Sequence, residues 1–296
     1  MIDGPGTDAS YCILQLSDTH FTADPGIGAT GVDADAQLER VLAKVLESGI
    51  HPDAMLLTGD LADDGEPAAY ARLRTIIVPF ANELATQLVM LPGNHDDRSA
   101  MREHLFGVLP STTPIHASIA IRGLRIIGID TSLAEWHHGL VEPAELEWLA
   151  DQLAQPAPDG TILALHHPPV RTHILPLQVL ELQEQDRLAE VISGSDVRMI
   201  LGGHLHYPTA SSFAGIPVFA GGAVSTFIDP GTPADVIDIS DGFQSFTVVT
   251  IDGDHVTTSV TPVAPQRVTG GAGPDFWAEL ASMDAVGRLD RWSRKR

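Results

Sequence analysis

Five short apolar runs in this chain each break off into a block of Asp, Asn or His. Residues 13–16 lead into Asp18-Thr19-His20, residues 54–57 into Gly59-Asp60, and residues 88–91 into Gly93-Asn94-His95-Asp96. Residues 162–165 lead into His166-His167, and residues 198–201 into Gly203-His204-Leu205-His206. Apolar runs this short suit buried β-strands, whereas the segments 35–47, 67–84, 98–106, 143–153 and 179–192 carry helical spacing. Such alternation predicts βαβ units, because parallel strands must be joined by crossovers long enough to hold a helix. In open α/β sheets ligands bind outside the carboxyl ends of the strands. The five blocks are therefore expected to meet in space despite their separation in sequence.

An extended backbone points residues i and i+2 to the same side, so Asp18 and His20 can reach one ion, and His204 and His206 repeat that geometry. Gly59 and Gly93 are expected to permit an abrupt turn out of the sheet. Taken together, Asp18, His20, Asp60, Asn94, His166, His204 and His206 form a mixed nitrogen and oxygen set. That set suits manganese, iron or zinc rather than calcium or magnesium alone. Any one block read singly is equally well a cap or a turn, since Asp and Asn are at home at strand-to-helix corners. Five such blocks, each directly after an apolar run, are not accounted for by turn chemistry.

Residues 118–121 and 125–129 form a predicted hairpin around Arg122-Gly123, and the helix at 143–153 opens on Pro143, where the missing N–H costs nothing. The last third turns to β-structure at 218–220, 246–251 and 256–260, with Asp252-Gly253 a predicted turn. From residue 265 Gly, Pro and polar residues prevail, followed by an amphipathic piece at 276–283 and the basic residues Arg288, Arg291, Arg294, Lys295 and Arg296. We thus divide the chain into a catalytic unit, 1–264, and a peripheral tail, 265–296. Cys12 is the single cysteine; it excludes an internal disulfide, suits a reducing compartment and reads as a small core hydrophobe. No apolar stretch approaches the roughly 20 residues that span a bilayer, which predicts a cytoplasmic protein. The net charge of −22 opposes nucleic-acid polymers, which need clustered Lys and Arg, but leaves open a small anionic substrate beside bound cations.

In their order, D-x-H, G-D-x-x-D, G-N-H-[DE], a histidine and G-H-x-H, the blocks resemble the calcineurin-like metallophosphoesterase superfamily, and they cover 18–206, about two thirds of the chain. The resemblance implies an α/β fold, a four-layer αββα sandwich of two mixed β-sheets flanked by helices. It further implies that Asp18, His20, Asp60 and His206 hold one ion and Asp60, Asn94, His166 and His204 the other, with Asp60 as the bridge. Only two of these ligands are anionic, so two divalent ions would leave a local excess of about +2 to attract a phosphodiester. A hydroxide bridging the ions would attack phosphorus. His95 would serve the leaving oxygen as a catalytic group, paired with Asp63, and Asn94 and His95 would face the substrate.

Within the superfamily, residues 60–70 (DLADDGEPAAY), Asp130-Thr131-Ser132, His137-His138-Gly139 and His166-His167-Pro168-Pro169 look most like the bacterial class III cyclic nucleotide phosphodiesterases and the related glycerophosphodiesterases. Hydrolysis of 3',5'- or 2',3'-cyclic AMP is the implied activity, with glycerophosphodiesters or other small diesters as the alternative. His137 is implied to border the substrate. A homodimer is common in that group. A scaffold that has lost its metals is the non-enzyme alternative, and no ligand position is missing here. His51, His104, His116, His173 and His255 stand outside the blocks and read as ordinary histidines.

Overall fold

The computed structural model describes residues 10–26, 28, 31–263 and 273–293. The strand β1 (Ser10–Leu16) is the hub of the first sheet. It pairs in parallel with β2 (Ala54–Thr58), which pairs in parallel with β3 (Gln87–Leu91). On its other side the order runs antiparallel through β12 (Ser245–Asp252) to β13 (His255–Pro262). The second sheet begins with the antiparallel hairpin β4 (Ala117–Ile121) and β5 (Leu124–Gly128). It continues in parallel through β6 (Thr161–Ala164), β7 (Val197–Gly202) and β9 (Ile216–Ala220), and β8 (Thr209–Phe213) closes its far edge antiparallel to β9. A two-stranded ribbon, β10 (Phe227–Ile228) and β11 (Ile239–Ser240), stands apart from both sheets.

Strand period and burial together produce the layers. Ile13, Leu56, Val89, Ile126, Ile162, Met199 and Leu201 share one core between the two sheets. Their neighbours in sequence point the other way: Leu14, Met55 and Leu57 pack on Leu38, Val41 and Val45 of α1 (Ala34–Ser48) and on Tyr70, Leu73 and Ile77 of α2 (Pro67–Glu83). In the second sheet Ile127, Leu163 and Ile200 pack on Leu146 and Leu149 of α4 (Pro143–Leu153) and Leu188 and Ile192 of α5 (Gln185–Ile192). Because both faces of the parallel strands are covered, they read as continuous apolar runs rather than alternating ones. The architecture is the expected four-layer αββα sandwich with two mixed sheets. Helix α1 starts where Asp33 accepts from the Ala36 N–H at 3.1 Å, and it stops at Gly49 in the left-handed region, φ 68.

Several expectations need correction. The run 179–192 is not one helix: a 3-10 turn occupies Leu175–Leu180, Glu184 sits at φ 49, and α5 begins only after it. Here the backbone is spent on tertiary hydrogen bonds, with Leu180 O accepting from His204 Nε2 at 3.1 Å and the Gln183 N–H donating to Gly139 O at 2.8 Å. Segment 98–106 is a short helix α3 (Arg98–Ala100) that widens into a π-helical turn, Met101–Phe106. The turn after β12 centres on Gly253-Asp254, since Asp252 already pairs with His255. Strand β8 lacks the apolar run that would have revealed it, and Cys12 is only half-buried although burial raises its thiol pKa. The boundary at 264/265 and the basic residues Arg294, Lys295 and Arg296 lie outside the described residues. Within 273–293, α6 (Pro274–Ala281) is tied to the π-helical turn Leu289–Ser293 that follows α7 (Ala285–Arg288), as Phe276 meets Trp292 and Arg291 pairs with Glu279 at 2.7 Å. Among the described residues no helix is long and apolar enough to cross a membrane.

Candidate metal centre

All five blocks follow the carboxyl ends of their strands, and the two sheets bring them to one rim. Asp18 and His20 follow β1, Asp60 follows β2, Asn94 and His95 follow β3, His166 follows β6, and His204 and His206 follow β7. Of these, Asp18 (φ 54), His20 (φ 46), Asp60 (φ 50), His204 (φ 70) and His206 (φ 58) adopt left-handed backbone. Each such residue costs on the order of 1 kcal/mol or more, and that strain collects where the fold needs an unusual side-chain direction. The turned backbone also points N–H groups inward. His204 N–H donates to both oxygens of Asp18 at 3.1 Å, and His95 N–H donates to Asp60 Oδ1 at 2.9 Å.

Every imidazole among the expected ligands has one ring nitrogen held by an oxygen, which leaves the other for the site. His20 Nδ1 lies 2.8 Å from Asp63 Oδ1, His166 Nδ1 lies 2.7 Å from Thr58 O, and His206 Nδ1 lies 3.1 Å from Thr226 O and 2.8 Å from its hydroxyl. His204 is anchored through Nε2 to Leu180 O and so offers Nδ1. Anchoring of this kind fixes tautomer and ring direction in metal-binding histidines. The offered atoms converge: His20 Nε2 to His206 Nε2 is 3.1 Å, His206 Nε2 to Asp18 Oδ1 3.5 Å, His20 Nε2 to Asp60 Oδ2 3.6 Å, and His166 Nε2 to Asp60 Oδ2 3.2 Å and to Asn94 Oδ1 3.1 Å. Asp60 therefore stands between two clusters, as a bridging carboxylate must. Asp18, His20, Asp60 and His206 can hold one cation. His166 and Asn94 meet at Asp60 on its other side.

The electrostatics fit a cation. Burial disfavours charge on His204 and His206, with neighbouring imidazoles adding to the effect, and holds both pKa values down to about 3. They are neutral donors at any ordinary pH. Burial also opposes a charged His166, but Asp60 and Asp18 outweigh it and push its pKa up to about 9. Asp60 stays well below the usual carboxylate range despite its burial, because His166 and His20 face it, whereas burial raises Asp18. Positive charge is favoured beside Asp60, and a metal ion would displace the proton there.

Glycine serves close approach here more than turning. A Cβ on Gly93 would lie 2.2 Å from Asp60 Oδ1 and 2.4 Å from its backbone N, and the backbone of Gly93 is not left-handed. Gly59 combines both needs, at φ 92 with the His166 ring 2.4 Å from its absent Cβ. The expectation of a turn glycine thus holds at 59 and is replaced by packing at 93.

One expected pairing is corrected. The Asp63 carboxylate is hydrogen-bonded to His20, and it is the Asp63 backbone carbonyl, 2.6 Å from Nδ1, that holds His95. The His20 hydrogen bond keeps the Asp63 pKa below the usual range. With Nδ1 so held, His95 lines the cavity together with His137, Asn94 and Thr226. His137 is exposed, with Nδ1 3.0 Å from Asn94 Nδ2 and its ring 5.1 Å from that of His95. Of the other segments quoted from the sequence, Asp130 is structural, accepting from Arg98 Nε at 2.8 Å and from the Ile115 N–H at 2.9 Å.

Sequence reasoning passed over Asp96, whose carboxylate accepts from the N–H groups of Leu61, Ala62 and Gly93 and from the Tyr70 hydroxyl, tying the second block to the third. Its place inside the Gly93 block was the available signal. The anchors Thr58 O, Leu180 O and Thr226 O are backbone carbonyls and leave none.

A family model described as calcineurin-like phosphoesterase matches residues 12–208. The chain belongs to that family. Among similar phosphoesterases, the cAMP/cGMP dual specificity phosphodiesterase of Mycobacterium tuberculosis is 44% identical over 260 residues, covering 88% of this chain and 82% of that one. The 3',5'-cyclic adenosine monophosphate phosphodiesterase CpdA of Pseudomonas aeruginosa is 28% identical over 203 residues, covering 68% and 72%. A crystal structure of a dimetal phosphatase from Danio rerio superposes with a TM-score of 0.56 at 12% identity, covering 86% of this phosphoesterase and 99% of that chain. At that identity it speaks for the fold alone.

Proposed function

We propose that this phosphoesterase hydrolyses cyclic nucleotides, opening 3',5'- or 2',3'-cyclic AMP to the monophosphate. The observation that carries the reading is a cavity of about 360 Å³ over the candidate metal centre, with a mixed polar and apolar lining. Its lining combines His20, Asp60, Asn94, His95 and His137 with the apolar Leu177, Leu180, Ile228 and Ile239. A cavity of that size and lining suits a mononucleotide-sized ligand, with the phosphate on the polar residues and the base on the apolar ones. The identity to the Mycobacterium tuberculosis phosphodiesterase supports the same choice.

In this reading Asp18, His20, Asp60 and His206 hold one ion and Asp60, Asn94, His166 and His204 the other, and the mixed donor set favours manganese or iron, with zinc a third choice. When bound, two divalent ions supply an activated water and offset the charge of the phosphate. The chain supplies the rest. Asn94 donates through Nδ2 to His137 Nδ1, which leaves the His137 Nε2–H for the ester, and His95, whose Nδ1–H is held by the Asp63 carbonyl, passes a second proton from Nε2 to the leaving oxygen when it is the imidazolium. The Asp63 carbonyl holds that ring in place.

The decisive assay compares the two cyclic AMP isomers with glycerophosphocholine on manganese-loaded protein, with bis(p-nitrophenyl) phosphate as a generic diester. We expect the higher kcat/KM for a cyclic nucleotide. A preference for glycerophosphocholine would replace the substrate class, and no turnover of the generic diester would end the enzyme reading.

A further inference from the structure

His167, the second residue of the histidine doublet, has no part in the centre described above, yet it is fully buried beside it. With His166 and His204 it forms a group whose ligand atoms lie within 4.8 Å of one another, so composition alone would make it a third metal cluster. Its hydrogen bonds argue otherwise, because both ring nitrogens are already engaged. Nε2 lies beside a carbonyl oxygen, which can only accept, so Nδ1 of the neutral ring takes the proton of the Thr131 hydroxyl 2.8 Å away, and that oxygen in turn accepts from the backbone N–H of His167 at 3.2 Å. The ring hydrogen then sits on Nε2, which is 3.2 Å from the carbonyl oxygen of His137. A neutral imidazole with a donor and an acceptor each satisfied is a brace rather than a ligand.

A second observation bears on the same contact. A Cβ on Gly139 would lie 2.4 Å from His167 Cγ, so the segment carrying His137 rests directly on the buried ring. That segment is otherwise open to solvent at Glu135, Trp136 and His137. The His137 side chain reaches the site through the 3.0 Å contact with the Asn94 amide and the neighbouring ring of His95. An exposed histidine on a surface segment loses conformational freedom when it grips a ligand, unless its backbone is already held.

We infer that His167 is a positioning residue for substrate binding: its Nε2–H pins the peptide of His137 so that the His137 ring faces the phosphate of the ester. The inference rests on the proposed phosphodiesterase reading, in which His137 contacts substrate.

The test uses the full chain loaded with manganese and compares His137→Ala, His167→Phe, His167→Gln and the double variant His137→Ala/His167→Phe. Phe keeps the ring and removes both hydrogen bonds; Gln restores a donor near the position of Nε2. We expect His167→Phe to raise KM for cyclic AMP by about threefold to tenfold, the range of one lost hydrogen bond, with kcat and bound manganese little changed. His167→Gln should recover most of that loss. The double variant should be no worse than His137→Ala alone, because the brace acts only through His137. Unchanged KM in His167→Phe, multiplied losses in the double variant, or loss of manganese would overturn the inference. If His137→Ala leaves KM untouched while the protein still turns over cyclic AMP, the brace has no substrate-binding group to position and the inference falls alone. No turnover of any diester by the unmutated protein would instead mark failure of the phosphodiesterase reading. Should His167→Phe not fold, Gly139→Ala disturbs the same contact from the other side and should raise KM likewise; a Gly139→Ala protein with normal KM would count against the brace.

Discussion

Asp63→Ala separates two roles for the second aspartate of the G-D-x-x-D block. In the structure its carboxylate takes the His20 Nδ1 hydrogen at 2.8 Å, and the side chain is 22% exposed. A hydrogen bond to a charged group contributes about 1.5–3 kcal/mol, and partial exposure places this one near the lower end, about 1.5–2 kcal/mol. At 1.4 kcal/mol per decade that is a loss of about 10- to 30-fold in affinity for the ion that His20 would hold, inside the range found when such anchors are removed. The assay is hydrolysis of a diester as a function of free manganese, with elemental analysis of the dialysed protein. We expect the half-saturating manganese concentration to rise about 10- to 30-fold, with excess metal restoring the rate to within a few-fold of the unmutated protein. The dependence on leaving-group pKa should stay the same, since the carbonyl that holds His95 belongs to the backbone and survives the change. Because the Asp63 pKa is depressed, its contribution is present above the ordinary carboxylate pKa and fades as pH falls through the lowered value, so the defect should be constant across neutral pH. A rate that manganese cannot restore, with a steeper leaving-group dependence, would refute this account and return the carboxylate to His95.

His95→Ala should keep both metals and lose on the order of 10² to 10⁴ in rate with an alkyl leaving group but far less with p-nitrophenolate; equal losses on both would remove His95 from proton transfer. Gly93→Ala should drive its Cβ against Asp60, 2.2 Å from Oδ1, where the nearby backbone N prevents simple rotation away. Metal sites tolerate about 0.2 Å of error, so bound manganese should fall while the fold loses only about 1–3 kcal/mol, read by elemental analysis and thermal melts. Glu145 lies on the buried face of α4 and its pKa is pushed up to about 7, by burial first and against the hydrogen bond from the Glu142 N–H. The folded state then binds more protons than the unfolded chain between about pH 4.5 and 7, so Glu145 lowers stability as pH rises through that window. Glu145→Gln should melt higher than the parent at pH 8 and show little gain at pH 4.5; a gain independent of pH would dismiss the titration.

Much of the site was legible because a metal ligand at a strand end leaves a local mark. An apolar run must stop, and Asp, Asn or His must follow within a few residues, so Asp18, His20, Asp60, Asn94, His166, His204 and His206 could be proposed from one sequence. The parallel strands were legible for the same reason, being apolar on both faces. Strand β8 and the ribbon of β10 and β11 were not, since edges covered on one side carry no such run. The break at Glu184 was invisible too, because helical spacing at 179–192 is a local preference that hydrogen bonds from His204 and Gln183 to distant partners override.

The sequence by itself determined which residue types stand at which strand ends, and through them the chemistry the chain can attempt. Only the tertiary structure decided how those residues are held. Whether Asp63 serves His20 or His95, whether Gly93 turns the chain or makes room for Asp60, and whether His167 binds metal or braces His137 all depend on which atoms from distant segments lie within about 3 Å. Hydrogen bonds and steric contacts are that short-ranged, and no spacing along the chain encodes them.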